Sequence, residues 1–315
     1  MSLFNKITFL IFFFVLLVGS LIGNFFLWQE LQQSSSQKLS QLKQHYPLLS
    51  SRAINPNYTG ALIVNFLPLR QQIHRIVDPY NNDFAIYFEY LPTGTTIGIN
   101  EDRDFTAESL LKVPVVMAYF HSKEVNNITT DPMVQIQKKE LNTSFGDLYK
   151  KGAGYSINLG DAVKLALQKS DNTASLILAD HISQSDFDFV YAGLDIPEAL
   201  DKNTPIITAQ EYVSILKALY FGSVLNNDDS EYILSLLTKT DFNNLIPSGV
   251  PSTIPVAHKI GLVNKEIYED CGIIYLPQRP YALCMVSKSS AQVAQQRMHT
   301  LSSIVYQYVA GLSSD

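Results

Sequence analysis

The sequence predicts an α/β protein of the α+β type, in which one antiparallel sheet is built from both ends of a domain. Residues 84–99 alternate between apolar and polar in the manner of strands, and strand-like segments return over 254–286. Between them, over about 105–251, apolar residues recur at helical spacing. Strands on both sides of a helical middle favour a single sheet with flanking helices and an inserted all-helical subdomain. A cleft between the two parts is the expected place for a site.

Local signals assign the individual elements of the domain. A helix is expected over 62–77, where apolar residues recur every three to four positions. Two strands follow and are joined by the turn Pro92-Thr-Gly94, whose residue types favour a reversal of the chain. After the helical middle, we expect strands at 254–263, 271–276 and 281–286, and a final helix at 291–309.

The first segment of the chain has the character of a membrane anchor. Residues 7–28 are apolar apart from three small polar side chains. At about 1.5 Å per residue, a helix of this length matches the roughly 30 Å hydrocarbon core of a bilayer. We therefore expect residues 1–28 to be a single-pass transmembrane helix; a cleaved signal peptide is the alternative, although no clear small-x-small cleavage site follows. Lys6 before the segment and Glu30 after it favour an extracytoplasmic domain.

Beyond the anchor, the sequence divides into a stalk and a domain. Residues 31–43 are rich in Gln, Ser and Lys, so 29–57 are expected to form the stalk or linker and 58–315 the folded domain. A coiled-coil dimer is not supported because the leucine repeat in the stalk is too short, so the oligomeric state stays open. The hydrophobic content of 46% is enough for a sizeable core. The net charge of −6, without a run of basic residues, argues against nucleic acid as a partner.

Neither a metal nor another cofactor is expected. The six histidines are scattered, without a partner at the spacing of metal ligands, and no glycine-rich phosphate loop occurs. The two cysteines, Cys271 and Cys284, fall on strands that flank a turn at 277–280. Counting outward from that turn places them diagonally on one face, so we expect two buried thiols rather than a disulfide.

Three short motifs occur in a fixed order. They are Ser109-Leu-Leu-Lys112, Ser170-Asp-Asn172 and Lys259-Ile-Gly261. A serine hydroxyl is a poor nucleophile near neutral pH and needs a proton acceptor beside it. Residues three apart share one face of a helix, so a desolvated Lys112 is a suitable base for Ser109. The motifs therefore indicate a serine hydrolase.

No single motif decides the matter, because Ser-x-x-Lys also occurs at Ser35 and Ser214. The order and the flanking patterns are more specific: the first motif begins a helix, the second follows a helical stretch and the third lies on a strand. This ordered set resembles the penicillin-recognising serine hydrolases. The resemblance to the class A β-lactamase catalytic domain extends from about Phe84 to the C-terminus and implies a β-lactamase/DD-peptidase-like fold.

The resemblance also implies catalytic roles. Ser109 resembles the family's nucleophile and Lys112 its base, whereas Ser109 taken alone would be interpreted as a helix N-cap. Ser170 resembles the proton shuttle to the leaving group, and Lys259 resembles the lysine that bonds this serine and attracts the substrate carboxylate.

Substrate binding is implied for three further residues. Asn172 looks like the side chain that steadies the lysine and binds the substrate amide, although Ser-Asp-Asn is also a common turn sequence. Gly261 completes the third motif, and the backbone N–H groups of Leu262 and Ser109 would form the oxyanion hole.

Two departures from the family pattern affect the expected activity. Ile260 stands where the family usually has Thr or Ser, so recognition of the substrate carboxylate is expected to be weaker or rearranged. The loop before Thr208 is short and lacks the Glu-x-x-Leu-Asn whose glutamate activates the deacylating water. Glu198 is the closest remnant and the candidate deacylation base.

The resemblance therefore implies a β-lactamase-like hydrolase that forms an acyl-enzyme at Ser109 on a β-lactam or related amide and deacylates slowly. A D-Ala-D-Ala carboxypeptidase or related peptidoglycan enzyme is one alternative. The other is a membrane-tethered sensor or pseudoenzyme that binds β-lactams without turnover. The partners implied are a small β-lactam or D-alanyl peptide and the membrane.

Overall fold

The computed structural model describes most of the domain and short pieces of the N-terminal region. The described residues are 17, 19–25, 28–29, 41–49, 64–80, 83–194, 196 and 206–312. None of the helices in these ranges is long and apolar enough to cross a bilayer. Most of the expected anchor at 7–28 and most of the stalk at 29–57 lie outside the described residues.

The helices of the domain carry the labels α1 to α8 in chain order. They are α1 (Leu67–Val77), α2 (Lys112–Val125), α3 (Leu159–Gln168), α4 (Asn172–Asp180), α5 (Gln184–Ala192), α6 (Ala209–Phe221), α7 (Asn227–Leu237) and α8 (Ala291–Ala310).

In the part of the chain that the structure describes, the strands form one large antiparallel sheet and two small ones. The strands of the large sheet are β1 (Phe84–Tyr90), β2 (Thr95–Ile99), β7 (Val256–Val263), β8 (Ile267–Ile274) and β9 (Tyr281–Lys288). Their order is β2-β1-β9-β8-β7, so that β1 from the start of the domain pairs with β9 near its end. This pairing confirms the sheet assembled from both ends of the domain.

The two faces of this sheet cover two separate hydrophobic clusters. One cluster joins the sheet to the helices inserted between β2 and β7 and includes Val116, Leu216 and Ile273. The other joins the opposite face to α1 and α8 and includes Ile73 and Val305. All seven residues of β1 are buried because helices cover both of its faces.

Two small sheets lie within the helical middle and were not expected. One pairs β3 (Phe105–Thr106) with β6 (Ile206–Ile207), and the other pairs β4 (Met133–Gln135) with β5 (Ser156–Asn158). Strands of two or three residues are too short to display an alternating pattern, so sequence periodicity cannot detect them.

The expectation of two free thiols was wrong, because Cys271 and Cys284 form a disulfide. The two residues are direct cross-strand partners on β8 and β9. The turn between these strands is centred one residue earlier than the interval 277–280 suggested, since Arg279 donates its backbone N–H to the carbonyl of Leu276. Moving the centre of the turn by one residue changes which residues lie opposite each other by two positions. Cys271 and Cys284 are therefore directly opposite rather than diagonal.

Candidate active site

Ser109 and Lys112 lie where a tight 3₁₀ turn leads into α2. The turn covers Glu108–Leu111, and α2 begins at Lys112. Pro114 is tolerated in the first helical turn because its missing N–H would have no intrahelical acceptor there. The Lys112 ammonium donates to Ser109 Oγ at 2.8 Å. The Ser-x-x-Lys spacing thus brings the amine of one residue against the hydroxyl of the other.

Lys112 is buried and makes three further contacts with the Ser-Asp-Asn motif. Its Nζ donates to the carbonyl oxygen of Ser170 at 2.6 Å, to Ser170 Oγ at 3.2 Å and to Asn172 Oδ1 at 2.6 Å. Burial lowers the pKa of Lys112 to about 8, although the negative charges of Asp171 and Glu108 oppose this shift. A substantial fraction of the amine is therefore neutral near physiological pH and can accept a proton.

Ser170 adopts a left-handed backbone conformation, with φ of +54°. Residues other than glycine rarely occupy this region, and such strain is concentrated at functional sites. In this conformation both its carbonyl oxygen and its Oγ accept from Lys112, while Oγ also accepts from Lys259 Nζ at 2.8 Å. Ser170 is therefore the meeting point of the two lysines.

Lys259, on β7, is 1% exposed. Its Nζ also donates to the carbonyl oxygen of Ile260 at 3.0 Å. Burial lowers the pKa of Lys259 well below its usual value, and the positive charge of Lys112 lowers it further, whereas Asp270 and Glu269 oppose the shift. Because the two lysines share one hydroxyl, protonating one disfavours protonation of the other.

Asp171 fixes the backbone conformation around Ser170. One carboxylate oxygen accepts from the backbone N–H of Ala174 and caps α4, and the other accepts from the N–H groups of Asp147 and Leu148. Gly146 has φ of +87°, and a Cβ there would lie 2.1 Å from the Asp171 carboxylate, so only glycine fits. Asp171 therefore joins the start of α4 to the 145–148 loop.

Asn172 is oriented by a residue that the motifs did not indicate. Its Nδ2 donates to Asn142 Oδ1 at 3.2 Å. Asn142 is itself held by Thr173, whose Oγ1 accepts from the Asn142 N–H at 2.9 Å and donates to the Asn142 carbonyl. Asn142 lies in a loop without regular periodicity, so the sequence carried no signal for it.

Strand β7 brings the third motif to the 3₁₀ turn that carries Ser109. It is the outer strand of the sheet, so one side of its backbone pairs with no other strand of the described sheet. Side chains alternate along the strand: Lys259 faces the helical part, whereas Ile260 packs in the cluster on the opposite face. Gly261 and Leu262 follow near the C-terminal end of the strand.

The structure thus brings together Ser109, Lys112, Ser170, Asn172 and Lys259. Glu198, the candidate deacylation base, lies outside the described residues. Sequence reasoning also missed Glu269 on β8, which is fully buried. An acidic residue within the strand-forming run 267–274 was an available signal, since carboxylates are rarely buried without a reason.

Comparison with known proteins identifies the family of the chain. A family model described as the beta-lactamase enzyme family matches residues 68–309. The chain belongs to that family. It is a β-lactamase-like serine hydrolase, as the motifs predicted. The comparison with curated proteins found no match.

Solved structures share the fold at low sequence identity. PBP-A is 21% identical with a TM-score of 0.71, over 81% of this chain and 100% of its own. A PBP-A mutant captured as an acyl-enzyme with penicillin G is 22% identical with a TM-score of 0.71, over 80% of this chain and 100% of its own. A β-lactamase from Sphaerobacter thermophilus is 19% identical with a TM-score of 0.70, over 79% of this chain and 100% of its own. The predicted α/β fold is therefore confirmed for the domain.

Proposed function

We propose that this β-lactamase-like hydrolase forms an acyl-enzyme at Ser109 on β-lactams or related D-alanyl amides, and that it releases the acyl group slowly. The observation that carries the proposal is the 2.8 Å contact between Ser109 Oγ and the Lys112 amine, whose pKa is lowered to about 8. This arrangement supplies an activated nucleophile and a base that is partly unprotonated near neutral pH.

The contacts of Ser109 and Ser170 indicate how acylation proceeds. Neutral Lys112 takes the proton of Ser109 as Oγ bonds to the amide carbon, and the backbone N–H groups of Ser109 and Leu262 stabilise the oxyanion. The carbon–nitrogen bond then breaks, and Ser170 gives its hydroxyl proton to the leaving nitrogen. Lys112 returns its extra proton to Ser170, so in net terms Ser109 has lost one proton, the leaving nitrogen has gained one, and both lysines are unchanged.

Deacylation requires a second base that activates water beside the ester. The sequence lacks the Glu-x-x-Leu-Asn of class A β-lactamases, and Glu198 is the remaining candidate. Positioned general bases contribute about 10²–10⁴ in rate, so their absence leaves a long-lived adduct. The fold shared with PBP-A, of which a mutant was captured with penicillin G, is compatible with such an adduct.

Mass spectrometry of the intact protein after exposure to penicillin tests the proposal. The expected result is an adduct on Ser109 that persists for minutes and is absent from Ser109→Ala. Ser214→Ala is a matched control, because Ser214 begins another Ser-x-x-Lys spacing and its hydroxyl donates to the carbonyl of Gln210 on α6. Lack of any adduct would contradict acylation. Rapid clearance that Glu198→Gln converts to a trapped adduct would instead assign deacylation to Glu198.

A D-Ala-D-Ala carboxypeptidase is the second candidate, because such an enzyme tolerates the absence of the Glu-x-x-Leu-Asn that the sequence lacks. Release of D-alanine from a D-alanyl-D-alanine peptide, measured on wild type and Ser109→Ala, distinguishes it from a β-lactamase. A protein that is acylated by penicillin but releases neither D-alanine nor hydrolysed penicillin would be a sensor, the third alternative.

We also propose that residues 1–28 anchor the protein in the membrane and that the domain is extracytoplasmic. The uninterrupted apolar run at 7–28 supports the anchor. The Cys271–Cys284 disulfide supports the location, because disulfides persist mainly in oxidising compartments.

A further inference from the structure

A buried chain of three polar side chains lies on the face of β7 opposite to Lys259. His258 precedes Lys259 in the strand, and its side chain lies on the face that also carries Ile260. Its Nδ1 is 2.8 Å from Asp270 Oδ1, and its Nε2 is 2.7 Å from Thr240 Oγ1. All three side chains are buried, so water does not compete for these hydrogen bonds.

The register of the sheet makes room for this chain. Gly272 is the cross-strand partner of His258, and a Cβ there would lie 2.6 Å from the Cβ of His258. The glycine therefore allows the imidazole to cross β8 and reach Asp270, its diagonal neighbour. The other carboxylate oxygen of Asp270 accepts the backbone N–H of Ile246 at 2.9 Å. His258 and Asp270 thus join the sheet to the connection between α7 and β7.

Asp241, the residue after Thr240, contacts the chain just before Ser170. Its backbone N–H donates to the carbonyl of Gln168 at 3.2 Å, and its carboxylate forms an ion pair with Lys169. These two partners are the residues that precede Ser170 in the chain. Fixing Thr240 therefore also fixes the chain that leads into the left-handed conformation of Ser170.

Phe242 contacts the chain on the other side of the same turn. Its ring packs against that of Phe145, with 5.7 Å between the ring centroids. The carbonyl of Phe145 accepts the backbone N–H of Asn172 at 3.1 Å. Residues 241–242 are therefore in contact with the segments on both sides of Ser170.

We propose that His258 is a positioning residue, which holds the 240–242 segment against the Ser170 turn through Thr240 and so keeps the Ser170 hydroxyl in place to protonate the leaving nitrogen. The inference rests on the proposed function, in which Ser170 delivers that proton. A non-glycine residue with φ of +54° keeps this conformation only when its surroundings hold it. Lys259 holds the hydroxyl itself, at 2.8 Å. His258 and Lys259 thus act on Ser170 from opposite faces of β7.

This role predicts a dependence on the leaving group. An amide nitrogen needs a proton in order to leave, whereas a thiolate leaves without one. Displacing Ser170 should therefore slow acylation by penicillin G and leave acylation by a phenylacetylglycyl thioester unchanged. A general loss of folded protein would lower both rates equally, so the ratio of the two rates separates positioning from stability.

Thr240→Val tests the role, because it removes the hydroxyl and keeps nearly the same side-chain shape. Its acylation rate constant for penicillin G should fall by about 10-fold to 10²-fold, since about 1 Å of displacement at a reacting group can cost about 10² in rate. The rate constant for the thioester should keep the wild-type value. Thr240→Ser, which keeps a hydroxyl, should recover most of the rate with penicillin G.

Thr238→Val is the matched control. Thr238 lies two residues before Thr240, and its hydroxyl donates to the carbonyl of Ser235 at the end of α7. Its rate with penicillin G should equal that of the wild type. Asp270 is left unchanged in these variants. Burial lowers the pKa of Lys259 and the charge of Asp270 opposes this shift, so a substitution there would act on the lysine directly.

The outcomes separate this inference from the proposed function. With an adduct on Ser109 present, an unchanged rate with penicillin G in Thr240→Val, or an equal fall with both substrates, would overturn the role of His258 alone. A selective fall that Thr240→Ser does not reverse would also overturn it. Absence of any adduct in the wild-type protein would overturn the proposed function and, with it, the inference.

Two further measurements cover failure of the first. If Thr240→Val does not fold, Asn243→Ala replaces it, because the exposed Asn243 donates its Nδ2 to the carbonyl of Thr240 at 3.0 Å. Losing this hydrogen bond should cause the same selective fall, by several-fold. If the thioester does not acylate the wild-type protein, a crystal structure of Thr240→Val decides. A Ser170 that keeps its left-handed conformation and its 2.8 Å contact with Lys259 would overturn the inference.

Discussion

Two lysines with lowered pKa values share the hydroxyl of Ser170, but their surroundings differ. Lys112 also contacts Ser109 and Asn172, whereas Lys259 is held between Ser170 and its own strand. The pKa of Lys112 is lowered to about 8, which leaves it able both to accept and to return a proton near neutral pH. Its contact with the nucleophile makes Lys112 the group that activates Ser109.

The pH dependence of acylation should report this pKa. Below about pH 8 most Lys112 is protonated and cannot act as a base, so the rate should rise about tenfold per pH unit and level off above pH 8. Stopped-flow measurement with a chromogenic cephalosporin checks the profile. Lys112→Arg should abolish acylation because arginine stays protonated. An acylation rate independent of pH across this range would exclude Lys112 as the base.

Asn142→Ala should lower acylation while leaving the fold intact. The substitution removes the acceptor for Asn172 Nδ2, so Asn172 loses its fixed orientation, whereas the two contacts of Asn142 with Thr173 involve its backbone and persist. Losing one such hydrogen bond costs about 1 kcal/mol, or a several-fold fall in the acylation rate constant. Asn126→Ala, at the exposed end of α2, is the control. Equal rates for the two variants would mean that Asn142 does not orient Asn172.

At the scale of elements, the site forms where three backbone ends meet. These are the 3₁₀ turn before α2, the start of α4 and the end of β7. Asp171 secures the second of them, because it caps α4 and accepts two N–H groups of the 145–148 loop. The geometry of Ser170 therefore depends on its neighbour Asp171, whose side chain binds backbone N–H groups of two segments.

Asp171→Ala should destabilise the protein by about 2–3 kcal/mol, because it removes a helix cap and leaves buried N–H groups unpaired. Chemical denaturation measures the change. Ser183→Ala removes another cap, that of α5, and should cost about 1 kcal/mol.

Asp171→Asn tests the electrostatic part separately. The Asp171 charge raises the pKa of Lys112, so removing it should move the pH profile of acylation toward lower pH. A loss of stability in Asp171→Ala no greater than in Ser183→Ala would contradict the anchoring role.

The disulfide joins β8 to β9 across the hairpin. Its cysteines are 13 residues apart, and a loop of about this length gives about 3 kcal/mol of stabilisation. The double variant Cys271→Ala and Cys284→Ala should therefore unfold at lower denaturant concentration but still be acylated at Ser109. Wild-type protein kept under reducing conditions should match the variant. A variant as stable as the oxidised protein would show that the bond adds nothing.

At the scale of the whole molecule, one sheet separates two hydrophobic clusters. The helical part covers one face, and α1 and α8 cover the other. Both β1 and β9 are buried between them, so the N- and C-terminal segments of the domain depend on each other. The cleft lies on the face of the helical part, where β7 leaves its outer backbone unpaired by another strand of that sheet.

The proposed anchor leads to a prediction for the full-length protein. It should sediment with membranes and remain there in high salt, because a spanning helix is held by burial of apolar surface rather than by screened charges. A chain that begins at residue 58 should be released. Recovery of a mature N-terminus near residue 30 would show that the segment is removed as a signal peptide.

Local features of this protein were predictable from the sequence because they depend on neighbours along the chain. The spacing of Ser109 and Lys112 sets their contact within one turn, and the pattern of β1 and β2 defines a hairpin. Thr208 and Glu211 form a capping box at the start of α6. Order and spacing were also sufficient to predict the family and the antiparallel sheet.

Only the tertiary structure decided what depends on distant segments. Lys259 bonds Ser170 from 89 residues away, and Glu269 lies against Gly261 because of the β7–β8 register. A shift of one residue in a turn moves a pair by two positions, so the disulfide could not be obtained by counting. Sequence determines which groups are available and which way a strand alternates. Packing determines which of those groups lose their water, and hence which lysines and carboxyls have shifted pKa values.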